Sequence, residues 1–187
     1  ATRAFETVME LKKEGKVGHL GISFHDSAEV LDNMLTRHPE IEVVQIQFNY
    51  LDYNDESVEG RKCYEVCRKH NKPIIVMEPV KGGILAELPN QIGDRLKSYA
   101  PEASIASWGI RFAASLDGIL AVLSGMSNYE QMEDNLSYME EFESKYLEKS
   151  ENVKEYEENK ITLKDITAET EALQSQQNDL YNKKSQF

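Results

Sequence analysis

IEVVQIQFNYLDYNDESVEGRKCYEVCRKHNKPIIVM, residues 41–77, reads as one strand–helix–strand unit. IEVVQIQ at 41–47 and PIIVM at 73–77 are apolar runs of strand length, and VEGRKCYEVCRKH at 58–70 between them has the length and polarity of a surface helix. Strands joined through a helix pair in parallel, and parallel sheets are covered on both faces, which suits nearly continuous apolar runs.

The same alternation extends in both directions. Upstream, residues 4–14 place Phe5, Val8, Met9 and Leu11 on one helical stripe that Gly15 stops. VGHLGIS at 17–23 is the next strand, and Ser27 stands where an N-cap is expected for SAEVLDNMLTRH, whose Val30, Leu31, Met34 and Leu35 form a second stripe. Downstream of PIIVM, a long polar connection containing Lys81, Gly82, Gly83 and Pro89 leads to a helical stretch around 102–115. The strand ILAVLS at 119–124 and a helix from about Asn128 to Met139 follow.

Four strands, each followed by a helix, predict an α/β fold with a parallel sheet. A doubly wound open sheet and part of a (β/α)8 barrel both meet that description. An open dinucleotide-binding sheet calls for G-x-G-x-x-G in its first βα turn, whereas the first strand here runs into GISFHDS, so the barrel is favoured. Four βα units are half of eight, and a typical barrel needs about 250 residues. The expectation is therefore half of a TIM-type barrel, unable to close alone; the chain opens with Ala in mid-helix pattern, as a start inside a larger domain would.

After Glu143 the composition changes. Residues 145–187 contain no Gly, Pro, Trp or Cys, and Tyr156, Leu163 and Thr170 alternate with Asn159, Ile166, Leu173, Leu180 and Phe187 at heptad spacing. Two readings stay open for 144–187, a coiled-coil-like helix that drives oligomerisation and a solvated polar helix, since Asn159, Thr170 and Gln177 are polar at core positions. The expected division is a half barrel over 1–143 and a polar helical tail over 144–187.

Bulk properties narrow the function. The 187 residues carry a formal net charge of -12, which argues against broad nucleic-acid binding because an acidic field repels phosphates. No stretch reaches the roughly 20 apolar residues of a membrane span, and ATRAFETVMELKKEGK has no apolar core of a signal peptide. Cys63 and Cys67 are the only cysteines, one helical turn apart and without nearby histidines in pairs, so they read as reduced, buried residues of a cytoplasmic protein rather than a metal site.

In a parallel barrel the ligand sits at the C-terminal ends of the strands. Those ends carry Ser23, Phe24, His25 and Asp26; Gln45, Gln47, Asn49 and Tyr50; Met77, Glu78 and Lys81 to Gly83; and Ser124, Gly125 and Ser127. An amide inside an apolar strand, as at Gln45, must satisfy donor and acceptor alike, either from a carboxamide-bearing ligand or from neighbouring barrel residues. EPVKGG offers a cation and two glycines where backbone could approach a phosphate, and it also reads as a plain turn. SGMSNYEQMEDN opens a helix with Asn128 or Ser127 as N-cap, so its first-turn N–H groups either attract an anion or are simply capped. His25 with Asp26, and Cys67 with His70, lack the third, orienting group of a catalytic arrangement.

GKVGHLGISFHD, EVVQIQFNYLD, PIIVMEPVKGGILA, ASWGIRFAAS and AVLSGMSNYEQMEDNLSYM resemble, in order and spacing, the second half of aldo/keto reductases, over residues 1 to about 143. Most similar is the bacterial branch that often carries a ferredoxin-like iron-sulfur extension, although its four-cysteine motif is absent. The resemblance implies a (β/α)8 barrel that binds NADPH or NADH across the strand ends and transfers hydride to an aldehyde or ketone. On matched motifs it implies carboxamide contacts from Ser23 and Gln45, with Met77 over the nicotinamide ring where many members have Tyr. Phe24 stands where the family often has Asn. Glu78, Val80 and Gly82 match the pyrophosphate path, with Lys81 beside them. Ser124, Gly125 and Met126 match the segment near the 2'-phosphate, Gln131 replaces a frequent Arg there, and Asp134 and Asn135 match the adenine-contacting pair. Gly125 and Gln131 tilt the expected cofactor from NADP towards NAD.

The resemblance places the family's catalytic Asp, Tyr, Lys and His on strands that precede residue 1, so no catalytic residue and no metal ligand is assigned. The expected partners are the nicotinamide cofactor and either a second copy or a complementing N-terminal half. A non-catalytic protein assembling through the open half barrel and the tail is the rival reading.

Overall fold

The computed structural model describes the backbone of residues 3–149 and the side chains of residues 3–139. The heptad positions from Tyr156 to Phe187 lie outside the described residues.

Helix α1 (Ala4–Lys13) ends before Gly15, whose φ of 72° is the left-handed value a helix stop requires. Its Phe5, Val8 and Met9 rest half-buried against the core, and Phe5 stacks on His38 with ring centroids 3.9 Å apart. Strand β1 (Gly21–Phe24) is shorter than 17–23 and shifted along it, because Val17 to His19 have no strand to pair with. Helix α2 (Ala28–Arg37) is capped by Ser27, whose hydroxyl accepts from the Val30 N–H. Glu59 adds a second cap across the chain by accepting from the Ala28 N–H at 2.8 Å. Leu31 and Leu35 of the expected stripe are buried, but Val30 is 40% exposed.

Strand β2 (Val43–Gln47), helix α3 (Gly60–Lys69) and strand β3 (Ile74–Met77) form the unit read from 41–77. Asp32 of α2 then ties to the end of α3 through His70 Nε2 at 2.5 Å and Lys69 Nζ at 2.7 Å. His70 is thereby directed at a carboxylate, and not at Cys67. Burial pushes the Cys63 thiol up to about 11 and that of Cys67 up to about 12, so both are inert structural thiols at neutral pH.

The connection expected between β3 and the next helix holds more structure than its composition suggests. A 3-10 turn (Lys81–Ala86) and helix α4 (Asn90–Tyr99) occupy it. Ile92 and Leu96 of α4 pack on Ile105 and Trp108 of helix α5 (Ile105–Ala114), forming a small second core that two apolar residues in a polar segment do not announce. The closest approach in this region is at Gly109, where a Cβ would come within 2.7 Å of the Pro79 carbonyl oxygen. Strand β4 (Ile119–Val122) stops short of Ser124, and helix α6 (Tyr129–Lys149) continues across residue 143.

The four strands form one sheet in the order β1-β2-β3-β4, every pair parallel, with a bulge opposite Ile74 and Ile75. Alternate residues separate its faces. Phe24, Val44, Ile46, Ile74 and Val76 are buried beneath the helices, whereas Ser23, Gln45, Gln47, Ile75 and Met77 on the other face are exposed or half-buried. Nearly continuous apolar strands suggested two covered faces; within the described residues only one is.

Candidate functional site

Because all strands are parallel, their C-terminal ends share one edge of the sheet. On the open face, Ser23 of β1 and Gln45 of β2 are register partners, and the next strand places Ile75 opposite Gln45. Gln45 Nε2 donates to Ser23 Oγ at 3.2 Å and lies 3.4 Å from Met77 Sδ. The structure thus gathers three of the sequence-predicted residues into one cluster. The neighbouring-residue reading of Gln45 is satisfied here, and it leaves a hydroxyl, an amide and a thioether side by side on an accessible surface. His25 Nε2 stands 3.3 Å from Ser23 Oγ at the rim.

Beyond β3 the loop turns sharply. Glu78 and Lys81 have φ of 57° and 48°, followed by Gly82 at 60° and Gly83 at 95°. A Cβ at Gly82 or Gly83 would meet nothing within 4 Å, so the backbone there is open to close approach. Val80 is half-buried against the core and anchors the loop. The Lys81 ammonium, expected to offer charge outwards, instead pairs with Asp52 Oδ1. Asp52 is fully buried, and its Oδ2 accepts from Gln47 Nε2 and Asn49 Nδ2, both at 2.8 Å. This polar group was not legible as a site because its members acquire a common purpose only where β2 and β3 end side by side.

The third group surrounds the start of α6. Asn128 Oδ1 accepts from the Gln131 N–H at 2.8 Å, which makes Asn128 the N-cap. Gln131 Oε1 reaches back to the Ser127 N–H at 2.7 Å and to its hydroxyl at 3.1 Å. Asn135 Nδ2 donates to Ser124 Oγ at 2.9 Å, and Ser104 donates to Asp134 Oδ2 at 2.6 Å. Met126 is 46% exposed, and a Cβ at Gly125 would meet nothing within 4 Å. Arg111 is stacked between Trp108 at 5.1 Å and Tyr138 at 5.8 Å, joining α5 to α6 beside this group.

Tyr50 is no candidate proton donor. It is 1% exposed, stands edge-on to Phe112, and burial pushes its phenol well above the usual range, the opposite of what a general acid requires. The cavity lined by Phe24, His25, Asp26, Gln47 and Cys63 measures about 110 Å³. Small-molecule pockets hold roughly 300–1,000 Å³, so this cavity, whose lining includes none of Ser23, Gln45 and Met77, is small for a cofactor. Among the described residues no group of three or more His, Cys, Asp or Glu could hold a metal ion, and no helix is long and apolar enough to cross a membrane.

The family model for the aldo/keto reductase family matches residues 2–155. Among solved structures, the chain is similar to the holo form of aldo-keto reductase AKR11C1 from Bacillus halodurans, with 23% identity and a TM-score of 0.55, covering 71% of this chain and 48% of that one. It is also similar to an aldo-keto reductase from Klebsiella pneumoniae in complex with NADPH, with 17% identity and a TM-score of 0.53, covering 71% of this chain and 46% of that one. A thermostable aldo-keto reductase in complex with the inhibitor epalrestat matches at 19% identity with a TM-score of 0.58, covering 73% of this chain and 48% of that one. The chain spans about half the length of these structures. No curated protein matches it.

Proposed function

The chain belongs to the aldo/keto reductase family, and from that premise we propose that it is the cofactor-binding half of an NAD(P)-dependent reductase of aldehydes or ketones. The observation that carries this reading is the contact of Gln45 with Ser23 and Met77 on the open face. A nicotinamide carboxamide needs both an acceptor and a donor, which a hydroxyl and a side-chain amide on adjacent strands can supply. The thioether of Met77 offers a soft apolar surface for the ring. When bound, the dinucleotide would supply the hydride; Ser23 and Gln45 would orient its carboxamide, and the backbone around Glu78, Val80 and Gly82 would hold its pyrophosphate.

Ser124, Gly125, Met126 and Gln131 would flank the ribose, with Asp134 and Asn135 at the adenine. Neither Gly125 nor Gln131 offers a cation to a 2'-phosphate, so NADH binds at least as tightly as NADPH. The proton donor is not assigned to this chain, whose proposed compartment is the cytoplasm and whose proposed units are the half barrel to residue 143 and the tail beyond it.

Calorimetric titration of the 187-residue chain with NADH and NADPH tests this. Binding that Gln45→Ala weakens about tenfold is expected, one well-made amide contact being worth of order 1 kcal/mol. Absence of binding to either nucleotide would sink the proposal. Turnover of an aldehyde by the chain alone, lost on Gln45→Ala, would overturn the division of labour.

One further observation favours assembly as the rival role. Leu120 of β4, the edge strand among the described residues, and Leu136 of α6 are 66% and 61% exposed, and Leu123, Met126, Tyr129 and Met132 between them in sequence are exposed as well. Sedimentation discriminates: a strict monomer at micromolar concentration, unchanged by deletion of 145–187, counts against assembly.

A further inference from the structure

The loop after β3 contains two non-glycine residues in the left-handed region, Glu78 and Lys81. Such residues persist only where their surroundings over-determine them, and they cluster at functional positions. Both are held from a single short segment after β2. Asn49 Nδ2 donates to the Glu78 carbonyl at 2.9 Å, and Asp52 takes the Lys81 ammonium.

The holders are themselves fixed. Asn49 and Asp52 are fully buried, Asn49 Oδ1 accepts from the Leu51 and Asp52 N–H groups at 3.1 and 2.8 Å, and Asp52 Oδ2 accepts from Gln47 and Asn49. A buried carboxylate with this many donors has little freedom. Wherever it points, Lys81 and the loop follow.

We propose that Asp52 is a positioning residue that, through Lys81, holds the 78–83 loop in its left-handed conformation and so presents that backbone to a pyrophosphate. The pyrophosphate part rests on the reading given under Proposed function; the holding of the loop does not. With its charge matched by Asp52, Lys81 serves as a tether, and a phosphate at this loop meets the open backbone of Gly82 and Gly83.

Asp52→Asn tests the link selectively. The remaining carbonyl oxygen still accepts from Gln47 and Asn49, while the new amide nitrogen faces Lys81 as a second donor. In the 187-residue chain, the amides of Lys81, Gly83 and Leu85, bonded to the carbonyls of Glu78, Val80 and Val80, should exchange with solvent about tenfold faster or more, while the β2–β3 ladder is unchanged. Lys81→Met should match it, the double variant should go no further, and Lys81→Arg should restore protection. Unchanged loop amides, or an acceleration spread evenly through the ladder, would overturn the proposal.

NADH titration supplies the second arm. Positioning requires Asp52→Asn and Lys81→Met to weaken binding alike. Tightening by Asp52→Asn together with weakening by Lys81→Met would show the ammonium acting directly on phosphate and overturn the tether. If the unsubstituted chain binds no NADH, the reading under Proposed function fails, and hydrogen exchange still decides whether Asp52 holds the loop.

Discussion

The two faces of the sheet are made of alternate residues on the same four strands, and physically they have little in common. Beneath the helices, Val44, Ile74 and Val76 have no exposed surface. On the open face, at the alternating positions of the same strands, stand Ser23, Gln45 and Met77, joined through the Gln45 amide, and Gln47, which donates to Asp52. Full burial of an aliphatic side chain is worth about 1.5–3 kcal/mol, and a hydrogen bond nets about 0.5–1.5 kcal/mol because water competes for both partners. Stability is therefore concentrated under the helices, while the open face is shaped for contact.

Substitution can break that contrast. Ile74→Ala, beneath the helices, should lower the free energy of unfolding by about 2–5 kcal/mol in urea, since the removed atoms leave a cavity. A loss below about 1 kcal/mol would mean that the covered face is poorly packed. Gln45→Ala on the open face should change stability by less than about 1 kcal/mol while weakening NADH binding about tenfold. An equal loss of stability at the two positions would abolish the distinction.

The strand ends sharpen the comparison. At the N-terminal end, Lys12, His19 and the Leu20 N–H hold the Glu42 carboxyl at about 2, against an ordinary value of 4.5. Since the folded value lies below the unfolded one, the stabilisation is fully present above about 4.5 and fades as the pH falls towards about 2. Thermal melts of Glu42→Gln should converge on the unsubstituted chain in that acid window; a difference constant from pH 7 to pH 3 would remove this carboxylate from the account. The smallest effect belongs to Leu120→Ser at the open edge, within about 0.5 kcal/mol by the same melts. A larger loss would show the edge to be covered in solution.

Much of the architecture was legible in the residues. Strand–helix alternation, the Ser27 cap and the stop at Gly15 are local matters, set by hydrophobic period and by which side chains can satisfy the first free N–H groups of a helix. The cluster of Ser23, Gln45 and Met77 was legible as well, once parallel pairing brought the strand ends to one edge. Helix α4 was not, because Ile92 and Leu96 gain their apolar surroundings from Ile105 and Trp108 on another helix. Nor was the exposure of Val30, which shares the period of Leu31 but not its neighbours.

By itself, then, the sequence determined the order of the strands and of the helices beside them, helix α4 excepted, and the family to which the chain belongs, since periodicity, caps and motif spacing are all written along one dimension. Only the tertiary structure decided what the polar side chains do. Lys81 and Asp52 lie 29 residues apart, as do Asn49 and Glu78, and Ser104 and Asp134 are separated by 30. Long, flexible polar side chains take whichever partner packing brings within reach, and the partner is therefore chosen by the fold and not by neighbours in sequence. That is why Lys81, which reads as a free cation beside two glycines, is in the folded chain the tether of a buried carboxylate.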